Sequence, residues 1–463
     1  MTPSSPLRVA VIGAGPAGFF LADKLLSQPD VPVAVDMFER LPVPYGLVRF
    51  GVAPDHEKIK LVTRAFDKVS ARPGFRYYGN VEVGTTVTLG ELQQHYHAVA
   101  FTTGAQSDRR MGIPGEDLAG SHAATELVAW YNGHPDYRDR QFDLSAERVA
   151  VIGVGNVAVD AARILCRSAD ELGRTDMADH AVDALRQSRI KEVLLLGRRG
   201  PVQAAFTTPE VKELGELEHA DAVALPEEVT LDPLSAAQFA AIEDPSERRK
   251  IEVLNELATR SRTGKSRCLT LRFLVSPLEL VDDGTGRVGA IRVGRNRLVE
   301  RDGALVAEPT GEVEEIPVGL VFRSVGYRGK PIAGLPFDER RGTVPNAKGR
   351  VTDPATGQPL SGLYVAGWIK RGPSGVIGTN KPDAAETAEA ILADARNDVL
   401  PVPVSASGAA IDGLLASRQS ELITWKDWQR INEAETAAGK TAGRPRVKLT
   451  RVAELIKASR PAS

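Results

Sequence analysis

The chain alternates short apolar runs with glycine-rich turns and helical stretches. Residues 7–12 (LRVAVI) make a short apolar run, the pattern of a parallel strand buried on both faces, and lead into Gly13-Ala14-Gly15-Pro16-Ala17-Gly18. A helical stretch follows from Phe19 to Leu26, and a second apolar run (33–38, VAVDMF) ends in Glu39. Residues 7–39 therefore predict one βαβ unit of about 30 residues. LPVPYGLVRFGVAPDH (41–56) is too rich in Pro and Gly for a helix or strand interior and is expected to be a loop.

The same design returns. Arg148 to Ile152 (RVAVI) runs into Gly153-Val154-Gly155-Asn156-Val157-Ala158 and a helix through about Arg167. A polar, helix-prone excursion (168–190) delays the next strand, Glu192 to Leu196, which ends in Gly197-Arg198-Arg199-Gly200-Pro201. Residues 221–267 read as helical, charged and superficial, and strand signals resume at 269–275, 288–293 and 318–325. Gly362 to Ala366 (GLYVA) reads as a buried strand entering a second glycine-rich stretch, 367–378, before a helix over 383–396 that opens with Asp383 as its cap. The tail from about 400 holds a Pro/Ser-rich connection, an amphipathic helix with Trp425 and Trp428 as core residues, and a basic end.

Composition narrows the chemistry. A length of 463 residues suggests two or three domains, and 58 Lys+Arg against 60 Asp+Glu leave a net charge of −2, without the broad positive field of a nucleic-acid or anionic-membrane binder. The two cysteines, Cys166 and Cys268, lie far apart, which argues against a disulfide scaffold, a CxxC pair or a Cys-ligated metal cluster and suggests a reducing compartment. The first residues leave no room for a secretory leader, and no apolar run approaches the ~20 residues of a membrane span, so a cytoplasmic protein is expected. No HExxH, GxSxG or GxxxxGK[ST] pattern occurs.

The two glycine fingerprints carry the functional signal. In the first, Gly13 permits a tight turn, Gly15 lets the backbone approach a pyrophosphate and Gly18 lets helix and strand pack closely, while the helix N-terminus offers unpaired N–H groups. Glu39 then suits a ribose hydroxyl, so this cradle takes FAD or NAD. In the second, Ala158 replaces the third glycine. Arg198 and Arg199 stand where the first site has a carboxylate, and two guanidinium forks suit a 2′-phosphate, which points to NADP. Thr208, Pro209 and Glu210 read as N-cap, first helical residue and first-turn acid, with Glu213 three residues on; on their own these carboxylates fit a dipole-complementing helix start as well as a site. His56, in a Pro-Asp-His segment, is either an exposed polar residue or a functional one.

These segments, with PVPYGLVRFGVAPDH, YYGNVEVG (77–84), YHAVAFTTGA (96–105), ALRQSRIKEVLLLGRRGPVQAAFTTPE, SVGYRGKPI (324–332) and GLYVAGWIKRGPSGVIGTN, resemble the adrenodoxin-reductase-like ferredoxin–NADP reductases, including the bacterial FprA-type members. The resemblance implies an α/β fold of two Rossmann-like dinucleotide-binding domains, the NADP domain (108–324) inserted into an FAD domain made of 1–107 and 325–463. It implies that Ala17, Glu39, Leu47, Val83, Trp368 and Gly375-Val376-Ile377 contact FAD, and that Val154 to Val157, Arg198, Arg199, Glu210 and Gly375 contact NADP. His56 and Glu213 are then tuning or positioning groups in the flavin–nicotinamide region. The implied reaction passes a hydride from NADPH to FAD and single electrons on to a small iron–sulfur ferredoxin, for which Lys370, Arg371 and Lys381 are candidate docking cations. Two other readings stay open: an electron-input subunit similar to the small subunit of glutamate synthase, whose N-terminal cysteine cluster is missing here, and a sensor that holds FAD and NADP without turnover.

Overall fold

Each glycine turn sits at the carboxyl end of a strand buried on both faces, the place where an open parallel sheet leaves room for a ligand. In the computed structural model, which describes residues 6–461, the chain divides into two compact units. One holds the described residues up to Val52, then His56–Ser107 and Gly326 onward; the other holds Asp108–Val325 together with Ala53–Asp55, three residues that the sequence reading leaves with the first unit. Val325 likewise joins the second unit. The expectation that no leader precedes the first strand rests on Met1–Ser5 and lies outside the described residues.

The first unit is built on a seven-stranded sheet in the order Asn346–Ala347, Arg350–Thr352, Pro359–Val365, Ala98–Phe101, Leu7–Ile12, Val33–Glu39, Phe75–Gly79. Leu7–Ile12 pairs in parallel with Val33–Glu39 (Leu7 opposite Val33, Ile12 opposite Phe38) and with Ala98–Phe101. All six of its residues are buried, which is why it reads as an apolar run, and each large buried side chain contributes about 1.5–3 kcal/mol. Helices Pro16–Leu26 and Asn380–Arg396 pack on one face through Phe19, Leu21, Ala388 and Ile391. Trp428, on helix Trp425–Thr441, is buried in the same core, as the sequence led us to expect.

The second unit has a six-stranded parallel sheet ordered Ser121–Ala123, Leu320–Arg323, Arg148–Ile152, Glu192–Leu196, Arg267–Arg272, Ala220–Ala224. A separate antiparallel sheet joins Val275–Asp282, Val288–Arg301 and Ala304–Pro317.

Several local expectations need correction. Ala220–Ala224 is a wholly buried strand where the sequence reading gives helix; its alternating small side chains carry little strand signal, and only pairing with Arg267–Arg272 makes it one. The supposed loop 41–56 contains the helical turn Leu47–Phe50, set off by left-handed backbone at Tyr45 and Gly46 and held by burial of Val48 and Phe50. The helix expected at 383 begins at Asn380, so Asp383 lies within its first turn and accepts from the Gly367 N–H instead of capping the helix. No helix among the described residues is long and apolar enough to cross a membrane.

Candidate functional site

The two fingerprints fold alike, bond for bond. Gly13 N–H donates to Phe38 O at 2.8 Å, and Gly153 N–H to Leu196 O at 2.9 Å, so each turn is tied to the end of the neighbouring strand. Phe19 N–H reaches Gly15 O and Val159 N–H reaches Gly155 O, both at 3.1 Å, starting helices Pro16–Leu26 and Asn156–Cys166 from Gly15 and Gly155 as N-caps. Neither cap residue has a side chain to satisfy the first-turn N–H groups, which stay available to an anion at the positive end of the helix dipole.

What a side chain would meet at each glycine separates packing from binding. A Cβ on Gly13 would lie 2.9 Å from Thr102 O, and on Gly18 2.2 Å from Gly13 O, so both glycines are required by the fold itself. A Cβ on Gly153, φ 130°, would lie 2.2 Å from Ser324 O. At Gly15 and Gly155 it would meet nothing within 4 Å. There φ is −87° and −103°, open to any residue, so the missing side chain keeps space clear rather than relieving strain. Each of those clear spaces lies at the positive end of a helix, an environment that suits an anion such as a diphosphate. Thr102 and Ser324, which the sequence reading missed, close the backs of the cradles: each donates its backbone N–H to the carbonyl ending the fingerprint strand, Ile12 O and Ile152 O, and Thr102 Oγ1 also donates to Gly13 O at 2.7 Å.

In the first unit, Glu39 ends its strand and accepts from Ala14 N–H (3.0 Å) and Leu41 N–H (3.1 Å), one on each oxygen. Burial pushes its carboxyl above the ordinary range, against these two donors. Lone pairs remain on both oxygens for a ribose hydroxyl. Ala17 is buried in the first helical turn, where a Cβ on Gly367 would touch its own Cβ at 2.6 Å; this brings the glycine-rich stretch 367–378 against the first fingerprint. Trp368 follows Gly367, donates its indole N–H to Ser374 O at 3.1 Å and packs on Tyr327. Gly375, with φ 77°, Val376 and Ile377 form a turn in which Val376 is 58% exposed; Leu47 is also partly exposed, and Val83 bridges to Val87. Exposed apolar groups such as Leu47 and Val376 suit contact with a flat ring system. His56 precedes the turn Glu57–Lys60 and is half-buried.

In the second unit, Arg198 and Arg199 are both exposed after the strand Glu192–Leu196, and neither guanidinium forms an ion pair among the described residues. Asn156 Oδ1 accepts from Thr207 N–H at 2.9 Å and its amide nitrogen lies 3.4 Å from Glu210, joining the fingerprint to the helix Thr208–Leu214. The N-cap of that helix is Thr207, not Thr208, and it makes no side-chain capping bond; its N–H donates to Asn156, and the Thr208 hydroxyl donates to Ser246 O. Val154 O accepts from Ala205 and Phe206 N–H, and Val157 packs on the core. Glu213 lies 3.5 Å from Arg163, a fully buried guanidinium that also holds Asp160 at 2.8 Å and grips Asp55 in a two-pronged contact at 2.8 and 2.9 Å. That cluster was not legible from spacing, since Asp55 is 108 positions from Arg163.

The docking cations need revision. Lys370 is withdrawn from solvent and bound to Asp383 at 3.2 Å and Glu386 at 2.6 Å, so its charge is spent internally. Arg371 turns inward, with Nε and Nη1 shut off from solvent. Lys381 alone of the three is exposed.

Known proteins share this geometry. A family model described as pyridine nucleotide-disulphide oxidoreductase matches residues 7–214. The chain is 48% identical over 462 residues to NADPH-ferredoxin reductase FprA of Mycobacterium tuberculosis, covering 98% of this chain and 99% of that one. It is 41% identical over 477 residues to the mitochondrial NADPH:adrenodoxin oxidoreductase of Salvelinus fontinalis, covering 99% and 92%. Among solved structures, Mycobacterium tuberculosis FprA in complex with NADPH matches with a TM-score of 0.92 at 47% identity, over 98% of this chain and all of that one.

Proposed function

Because the chain belongs to the adrenodoxin-reductase-like ferredoxin–NADP reductases, we propose that it is the enzyme that moves electrons from NADPH through FAD to a small iron–sulfur ferredoxin. The observation that carries this reading is the contrast between two cradles with the same backbone. One ends in the Glu39 carboxylate and the other in the free pair Arg198 and Arg199. A carboxylate accepts from a ribose hydroxyl and repels a 2′-phosphate; two guanidinium forks do the reverse.

The residues present fit both cofactors. In the first cradle the room beside Gly15 and the start of the Pro16 helix would receive the FAD diphosphate. Glu39 would hold the ribose, and Leu47, Val83, Trp368 and Gly375-Val376-Ile377 would flank the ring. In the second, Gly155 to Val157 would receive the NADP diphosphate and Arg198 and Arg199 its 2′-phosphate, with Glu210 fixing Asn156. When bound, FAD accepts a hydride and gives up its two electrons one at a time. The chain supplies alignment, charge and exclusion of water. His56 and Glu213 act as positioning groups, Glu213 with its carboxylate oriented by Arg163.

With two cysteines in the whole chain, both buried and unpaired, the one-electron carrier is a separate protein and the compartment is the reducing cytoplasm. Steady-state turnover with each nicotinamide coenzyme and with ferricyanide or a ferredoxin as acceptor tests the proposal. NADPH should support both acceptors far better than NADH; coenzyme-indifferent turnover, or none with any ferredoxin, would refute it.

A further inference from the structure

Arg371 closes the short helix Trp368–Arg371 that follows Gly367. Its Nη2 donates to Asn380 Oδ1 at 3.3 Å, and this same Oδ1 would lie 3.5 Å from a Cβ on Gly367, the residue packed on Ala17 at the start of the Pro16 helix. Asn380 and Gly367 thus connect the guanidinium to the start of the Pro16 helix. Its other two nitrogens, Nε and Nη1, are shut off from solvent and have no hydrogen-bond partner.

Among the described residues six other arginines have a buried guanidinium nitrogen without a hydrogen-bond partner, and each of them lies within ion-pair distance of a carboxylate, as Arg8 does of Asp36 and Arg49 of Glu435. Arg371 reaches none among the described residues. The nearby acids are already committed: Asp383 serves Lys370 and the Gly367 N–H, and Glu386 serves Lys370. A cation drawn out of water without a counter-charge is strongly disfavoured. Nε and Nη1 of Arg371 are left open to an anion that the described residues do not provide.

We propose that Arg371 is a cofactor-binding residue whose guanidinium pairs with an anionic group of the bound FAD. This rests on the reading of the first cradle as the FAD site. Two parts of that cofactor carry such charge: the diphosphate at all times, and the N1–C2=O edge of the ring once it is reduced. Both are met by the same planar, permanently charged fork.

The test uses the flavin-loaded enzyme and its Arg371→Met and Arg371→Lys variants. FAD release is followed by flavin fluorescence in rising chaotropic salt, and the flavin's reduction potential by equilibration with a reference dye. Arg371→Met should release FAD at least tenfold faster, with Arg371→Lys close to wild type, if the anion is the diphosphate. If the anion is the ring edge, release changes little but the oxidised-to-reduced ratio at a fixed dye ratio rises at least threefold. Should the Met variant fail to accumulate, Arg371→Gln, which keeps a donor and loses the charge, is read in its place. Release and potential both within twofold of wild type, including when only turnover with a protein acceptor falls, would overturn the proposal while leaving a yellow, active enzyme. A wild type purified without FAD would overturn both the proposal and the reading beneath it.

Discussion

Glu435 accepts both terminal nitrogens of Arg49, 386 positions earlier in the chain, at 2.9 and 2.5 Å. Arg446 reaches the same carboxylate at 3.0 Å, and Leu449 N–H donates to it at 2.8 Å. The tail helix is thereby fastened to the turn Leu47–Phe50, which includes a candidate flavin contact. Burial pushes the Glu435 carboxyl up, but the two arginines and the backbone donor outweigh it and hold the group below the ordinary range.

Glu435→Ala should therefore strand two cations, one of them buried, and destabilise the enzyme by about 3–5 kcal/mol, a fall in thermal midpoint on the order of 10 °C. Arg396→Ala, which removes an exposed pair with Asp30, should change stability by less than about 1 kcal/mol. Thermal unfolding of the flavin-bound proteins compares the two; equal effects would show that the buried cluster carries no special weight.

The glycines of the first fingerprint should separate by role. Gly15→Ala has an allowed backbone and open space, so the variant should unfold within a degree or two of the wild-type apoprotein yet bind FAD ten- to a hundredfold more weakly, about the loss of one charge-assisted hydrogen bond. Gly18→Ala drives a Cβ into Gly13 O and should cost at least about 1–3 kcal/mol of fold stability. Flavin content and melting curves of the two variants read this directly.

Coenzyme choice should follow the arginine pair. Neutralising Arg198 and Arg199 together should raise the KM for NADPH by at least about a hundredfold, with that for NADH moving less than about threefold, since each charge-assisted bond to the 2′-phosphate is worth roughly 1.5–3 kcal/mol. Equal losses for the two coenzymes would mean that the pair does not hold the 2′-phosphate.

Asp108 provides a pH signature in the second unit. Burial pushes its carboxyl up to about 7, opposed by Arg323 and reinforced by Glu126, while the Thr125 hydroxyl donates to it. The folded state holds a proton that the unfolded chain releases near 4, so the favourable contribution is complete at low pH and is lost as pH rises toward 7, at about 1.4 kcal/mol per pH unit. Asp108→Asn should match wild type in stability near pH 4 and exceed it at pH 8. Denaturation at the two pH values checks the sign.

Much of this was legible because each fingerprint strand is apolar but for a single arginine and is cut off sharply by glycine. The pattern was weak where strands are short or polar. Ala220–Ala224 is too rich in alanine to announce itself, and Ala304–Pro317 carries alternating acids on an exposed sheet, although the Asp302-Gly303 turn before it, with φ of 52° and 74°, was a usable hairpin signal. Side-chain direction was the larger gap. Lys370 and Arg371 look like surface cations in the sequence, and only the placement of Asp383, Glu386 and Asn380 turns both inward. The cluster around Arg163 needed the fold to bring Asp55 to it.

Electron stoichiometry tests the account most directly. Purified enzyme, titrated anaerobically with NADPH in the presence of excess ferredoxin, should be yellow at the outset and reduce two ferredoxins for each NADPH consumed. A protein that binds NADPH without passing electrons to ferredoxin, or that needs no flavin to do so, would contradict it.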